Sequence, residues 1–128
     1  MRRSVRTGVA VLAASGLALT GCGGSDSGTT DGASATPADV VARGNDALKW
    51  DQKSYSAAAG SVTIQLVNDG ALPHTLLIEK VGAFKKLSVT GKGQTATGTA
   101  TLEPGTYTIF CDVAGHRSAG MEAQLVIS

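Results

Sequence analysis

Apolar and polar positions alternate with a period of two along most of the second half of the chain. In residues 61–67 (SVTIQLV), Val62, Ile64 and Leu66 alternate with Thr63 and Gln65, as expected of a half-buried strand. Residues 74–79 (HTLLIE) form a further apolar run, and 95–102 (TATGTATL) is threonine-rich and β-prone. Residues 106–112 (TYTIFCD) put Tyr107, Ile109 and Cys111 on one face and Thr108 and Phe110 on the other. In 120–128 (GMEAQLVIS), Met121, Ala123, Leu125 and Ile127 share a face, and 47–50 and 54–58 are shorter candidates. Turn signals separate these runs: Ala59-Gly60, Asn68-Asp69-Gly70, Gly91-Lys92-Gly93 and Pro104-Gly105. Seven to eight short strands spaced in this way predict an all-β sandwich or barrel over residues 46–128.

The first third of the chain has a different pattern. Residues 1–6 carry three arginines, and 8–20 (GVAVLAASGLALT) is an apolar run of thirteen residues. That is shorter than the roughly 20 residues needed to cross a bilayer, so residues 1–21 read as a cleaved export signal. Leu19-Thr20-Gly21-Cys22 closes the run and resembles a lipoprotein signal, which would leave Cys22 as a lipid-bearing N-terminus. Arg2-Arg3 is compatible with twin-arginine export, although arginines are usual in any signal's charged region. Residues 23–37 (GGSDSGTTDGASATP) contain no large apolar side chain and cannot offset their ordering entropy by burial. Residues 22–45 are therefore expected to be a lipid-anchored flexible linker, with a short helical turn in 37–46 (PADVVARGND). The expected location is extracytoplasmic, on the outer face of the cytoplasmic membrane or in the periplasm.

Charge alters the picture only once the signal is removed. The whole chain has 11 basic and 10 acidic residues; without the signal's three arginines the balance is 8 against 10, or −2. No basic stripe is present and aromatic residues are few, so nucleic acid is not an expected partner. A domain of 80–90 residues is small for a hydrophobic core, and a metal would help to staple it.

Candidate chemistry sits in 110–121 (FCDVAGHRSAGM), which holds one of two cysteines, one of two histidines and one of two methionines. Cys111 could pair with Cys22 outside the cytoplasm, lie inert in the core, or bind a metal. Lipidation of Cys22 would remove the first option. Cys111 ends one strand, Met121 begins the next, and Ala114, Gly115, Ser118, Ala119 and Gly120 leave the loop between them free to bend. The only other histidine, His74, stands at a strand edge after the loop 68–73 (NDGALP). One thiolate, two imidazoles and a thioether make the donor set of a blue copper centre.

Residues 68–74 (NDGALPH), taken with 104–121 (PGTYTIFCDVAGHRSAGM), resemble the cupredoxin family of small blue copper proteins. The spacing Cys, four residues, His, four residues, Met is similar to the ligand loops of rusticyanin, auracyanin and sulfocyanin. The resemblance implies a Greek-key β-sandwich, with one copper ion held by His74, Cys111 and His116 and by Met121 as a weak axial ligand. It also implies that Thr75 hydrogen-bonds near Asp112, tying the two ligand segments together. His116 would reach the surface through an apolar electron port formed with Leu72, Pro73, Ala114, Gly115 and Ala119. Arg117 and Asp112 would influence the choice of partner.

The expected function is a membrane-tethered, monomeric, non-enzymatic carrier of single electrons between transient redox partners. Copper scavenging or delivery is the alternative, but such chains tend to expose many methionines or histidines. A multicopper enzyme would need further histidines, and this chain has none beyond His74 and His116. A dinuclear copper centre would want a second cysteine in the loop.

Overall fold

The structure, a computed structural model, describes residues 37–128; the expected signal, Cys22 and most of the linker lie outside the described residues. Nine strands form two sheets: β1 (Val40–Asn45), β2 (Lys49–Trp50), β3 (Ser54–Ala57), β4 (Gly60–Asn68), β5 (His74–Ile78), β6 (Leu87–Val89), β7 (Thr95–Leu102), β8 (Gly105–Phe110) and β9 (Glu122–Ile127). The first sheet has the order β2-β1-β4-β7 and the second β3-β9-β8-β5-β6. This is the all-β Greek-key architecture, with the core between the two sheets.

Alternation places the core. Val62 and Ile64 of β4, Ile109 of β8 and Leu125 of β9 are all fully buried, while their neighbours along each strand face outward or are half-covered. Towards the end of β4 the alternation stops: Leu66, Val67 and Asn68 are all buried. The same happens at the start of β5, where His74, Thr75 and Leu76 are enclosed on both faces. These two stretches mark the end of the sandwich where polar groups are buried.

Two strands were not expected. The segment 37–46, read above as a helical turn in a linker, carries β1, so Val40–Asn45 belongs to the sandwich rather than to the linker. Its inward positions are Val40, Ala42 and Gly44, whose decreasing size mutes the alternation. What makes this segment a strand is parallel pairing with β4, from Val40 opposite Ile64 to Gly44 opposite Asn68. Residues close in sequence carry no signal of that pairing. Strand β6 spans three residues, too few for periodicity to register, and is fixed by antiparallel pairing with β5. Beneath it Gly98 leaves space for Leu87 and Phe84: a Cβ at Gly98 would lie 3.0 Å from Leu87 Cδ2.

Candidate metal centre

Strands β5 and β8 are neighbours in the second sheet and antiparallel, so the start of β5 and the end of β8 lie at the same end. That register brings His74, the first residue of β5, to Cys111, which follows β8 directly. Antiparallel pairing of β8 with β9 then returns Met121, immediately before β9, to the same place; Cys111 N–H donates to Met121 O at 3.2 Å. The loop between them is wound by its own backbone. His116 N–H donates to Val113 O (2.9 Å), Ala119 N–H to Gly115 O (3.1 Å) and Met121 N–H to His116 O (3.0 Å). Gly115 and Gly120 sit at φ 83° and 108°, conformations that a side chain would strain, and they permit the reversal.

The outcome is a dry cluster. The ligating atoms of His74, Cys111 and His116 all lie within 4.8 Å of one another. The two imidazole rings are 5.2 Å apart between centroids, and Cys111 Sγ is 3.5 Å from His116 Nδ1. His74, Cys111 and Met121 are fully buried, whereas His116 keeps 7% of its surface exposed. Neither ring nitrogen of His74 has a hydrogen-bond partner. An unpartnered buried polar atom costs about 1–3 kcal/mol, and a metal ion bound there would supply the missing partner. Burial, and secondarily the neighbouring His116, pushes the His74 pKa below its ordinary value, against weaker pulls from Asp46 and from the Asn45 backbone, which lies near the ring without completing a well-formed hydrogen bond. The ring is therefore neutral near pH 7, with a lone pair free to bind metal. A soft sulfur beside two imidazoles in a water-excluding pocket suits copper, and the residues present fit it.

Around the donors, Thr75 N–H donates to Cys111 Sγ at 3.3 Å. The Thr75 hydroxyl also lies 3.5 Å from that sulfur, but it donates to Asp112 Oδ1 at 2.6 Å and accepts from Asp112 N–H at 2.9 Å. One proton cannot serve both acceptors, so the backbone amide is the sulfur's principal donor. Thr75, then Lys86 at 3.1 Å, hold the Asp112 carboxyl below the usual carboxylate range.

Of the expected port residues, Leu72, Pro73, Ala114, Gly115 and Ala119 are all exposed. Ala114 and Gly115 line an open hollow of about 540 Å³ together with Phe110, Asp112, Val113 and Arg117. Arg117 is not a free charge. It bonds Glu79 and Glu122, each at 2.9 Å, and its guanidinium lies 4.2 Å over the Phe110 ring. The Tyr107 hydroxyl donates to Glu103 O at 3.0 Å, the contact of a tyrosine corner.

Two contributors to the site went unread in the sequence. Asn68 is fully buried; its side chain donates to Leu72 O at 2.9 Å and accepts from Gly70 N–H at 2.9 Å, shaping the loop that leads to His74. Gly44, in the segment taken for linker, lies against His74 and Met121. The Asn-Asp-Gly turn signal pointed to the first of these. Only the pairing of β1 with β4 points to the second.

A β-sandwich that gathers two histidines and a cysteine, all buried, at one end of its strands is the framework of a mononuclear copper protein. The sequence model for copper-binding proteins of the plastocyanin/azurin family matches residues 37–128, and the chain belongs to that family. His74, Cys111 and His116 hold one copper ion. Among solved structures, the dithionite-reduced auracyanin of Roseiflexus castenholzii superposes with a TM-score of 0.62 at 20% identity, covering 73% of this chain and 99% of that one. Auracyanin A of Chloroflexus aurantiacus, described as a "blue" copper protein, gives 0.60 at 21% identity, over 69% and 96%. An azurin from Methylomonas sp. strain J gives 0.55 at 16% identity, over 69% and 95%. At such identities the likeness establishes the fold. No curated protein matches the sequence significantly.

Proposed function

We propose that the protein carries single electrons between redox partners while tethered to the outer face of a membrane. The observation that carries this reading is the asymmetry of burial: three donors are sealed, and His116 alone reaches towards solvent. When bound, copper supplies a one-electron couple. The chain's own residues do the rest. Cys111, His74 and His116 would bind the ion, the Met121 thioether would be a further, weaker donor, and the two sheets exclude water. Backbone hydrogen bonds across the loop fix the donors, so that little need move when the charge changes.

The exposed small and apolar residues Leu72, Pro73, Ala114, Gly115 and Ala119 support an uncharged contact face around His116. Such a face suits brief, low-area encounters. Asp112 and Arg117 are paired within the protein, which leaves the rim without a free charge from either. Thr75 and Asp112 tie the His74 strand to the Cys111 loop. The apolar run 8–20 and Cys22 support export and lipid anchoring, with residues 23–36 as the tether.

Voltammetry of the full chain in lipid vesicles tests the carrier role. A reversible one-electron wave is expected, and a wave that is irreversible or passes two electrons would contradict it. Fractionation of cells expressing Cys22→Ala tests the anchor: the variant should leave the membrane fraction, and its retention there would count against lipidation.

A further inference from the structure

We infer that Gly44 is the positioning residue for Met121: the side chain missing at this point of β1 is what admits the methionine's methyl group beside His74. This rests on the reading of Met121 as the axial ligand. A Cβ built on Gly44 would stand 2.8 Å from Met121 Cε and 3.0 and 3.1 Å from His74 Cδ2 and Cγ. Carbon atoms in contact normally keep about 3.5–4.0 Å, so any side chain here must displace something.

The backbone cannot be what moves. Strand β1 is internal to its sheet, and Gly44 is paired with Trp50 of β2 on one side and Asn68 of β4 on the other. Its carbonyl accepts Asp69 N–H at 2.8 Å. The preceding residue is held as firmly. Arg43 binds Asp69 through Nε (2.8 Å) and Nη2 (2.6 Å), and its backbone N–H donates to Asp51 Oδ1 at 2.9 Å.

Nor does Gly44 need glycine's backbone freedom, since it is not among the residues with positive φ. Only the space is required. The two groups facing it differ in mobility. His74 is a stiff ring on a paired strand, whereas Met121 Cε is the end of a flexible thioether. Alanine at position 44 would therefore displace the thioether and leave every donor atom chemically unchanged.

The test is a double-mutant cycle on the copper-loaded full chain, reading midpoint potential and the visible and EPR spectra. Met121→Leu alone tests the axial reading, and an unchanged potential would sink it. Gly44→Ala should shift potential and spectrum by less than Met121→Leu does. In the Met121→Leu background, Gly44→Ala should have no further effect. An unshifted potential for Gly44→Ala alone, with Met121→Leu shifted, overturns the inference. So does an equal shift in both backgrounds, because the effect would then bypass Met121. If Gly44→Ala does not fold, the wild-type Cu(I) protein decides. Nuclear Overhauser contacts between the Met121 methyl and the Gly44 α protons are expected, and their absence overturns the inference.

Discussion

Two segments enclose the copper site, and they are built on different principles. The loop 111–121 concentrates the chemistry: Cys111, His116 and Met121 stand close in sequence, and the loop between them is held by its own backbone hydrogen bonds. The opposite wall, Gly44–Asp46 with Asn68–His74, supplies a single donor. It is otherwise made of pins. Arg43 grips Asp69, Asp46 accepts from the Ala71 and Leu72 amides, Asn68 braces the turn, and Gly44 leaves a gap. A centre of this kind needs both: donors gathered by a short loop, and a stiff surface that stops them from drifting.

The contrast can be broken at several points. The largest effect belongs to the loop. Cys111→Ser should abolish the blue absorption, which arises from charge transfer between thiolate and copper, while circular dichroism still reports a β-rich fold. Retention of the band would contradict the ligand set. On the wall, the expected damage is to stability. Asn68→Ala leaves the part-buried Leu72 carbonyl and the buried Gly70 amide without their side-chain partner, which costs about 2 kcal/mol. In a domain of this size that lowers Tm by on the order of 10 °C, and a fall of only a degree or two would mean that the wall is not so braced.

Smaller changes sharpen the comparison. Arg117→Met removes two half-exposed ion pairs and a contact over Phe110, each worth about 1 kcal/mol or less. Amide exchange in residues 113–120 should quicken while Tm moves less than in Asn68→Ala; a larger drop would make the loop depend on its clamp. The smallest effect should appear in acid. Asp46 is held below the usual carboxylate range by the Leu72 and Ala71 amides, and Asp69 by Arg43. Their stabilising contributions are thus complete above the ordinary value of about 3.9 and are lost as pH falls through the lower folded values. Thermal melts of the metal-free protein should decline more steeply below pH 4 than those of Asp46→Asn. Parallel declines would remove Asp46 from the wall.

How much of this could be read from the chain follows the same division. Cys111 and His116 were legible because scarce residue types recur at regular spacing, and His74 because the set lacked a second imidazole; the same spacing is what proposes Met121 as a donor. Seven strands were legible from alternation and turn residues. The wall was not. Val40, Ala42 and Gly44 are too small to show a strand's pattern, and β1 exists because β4, more than twenty positions away, offers a parallel edge. Asn68 was recognisable as a turn residue but not as a buried brace, since the distinction depends on which strands cover it. The charges at Asp112 and Arg117 looked like surface features for a partner, and each turned out to be engaged within the fold.

The most direct measurement is titration of the metal-free full chain with copper under anaerobic conditions, followed by visible absorption after oxidation. If His74, Cys111 and His116 form one closed site, a single intense blue band should grow and saturate at one copper per chain. Saturation without a blue band, or continued binding of several coppers per chain, would contradict a mononuclear thiolate–imidazole centre.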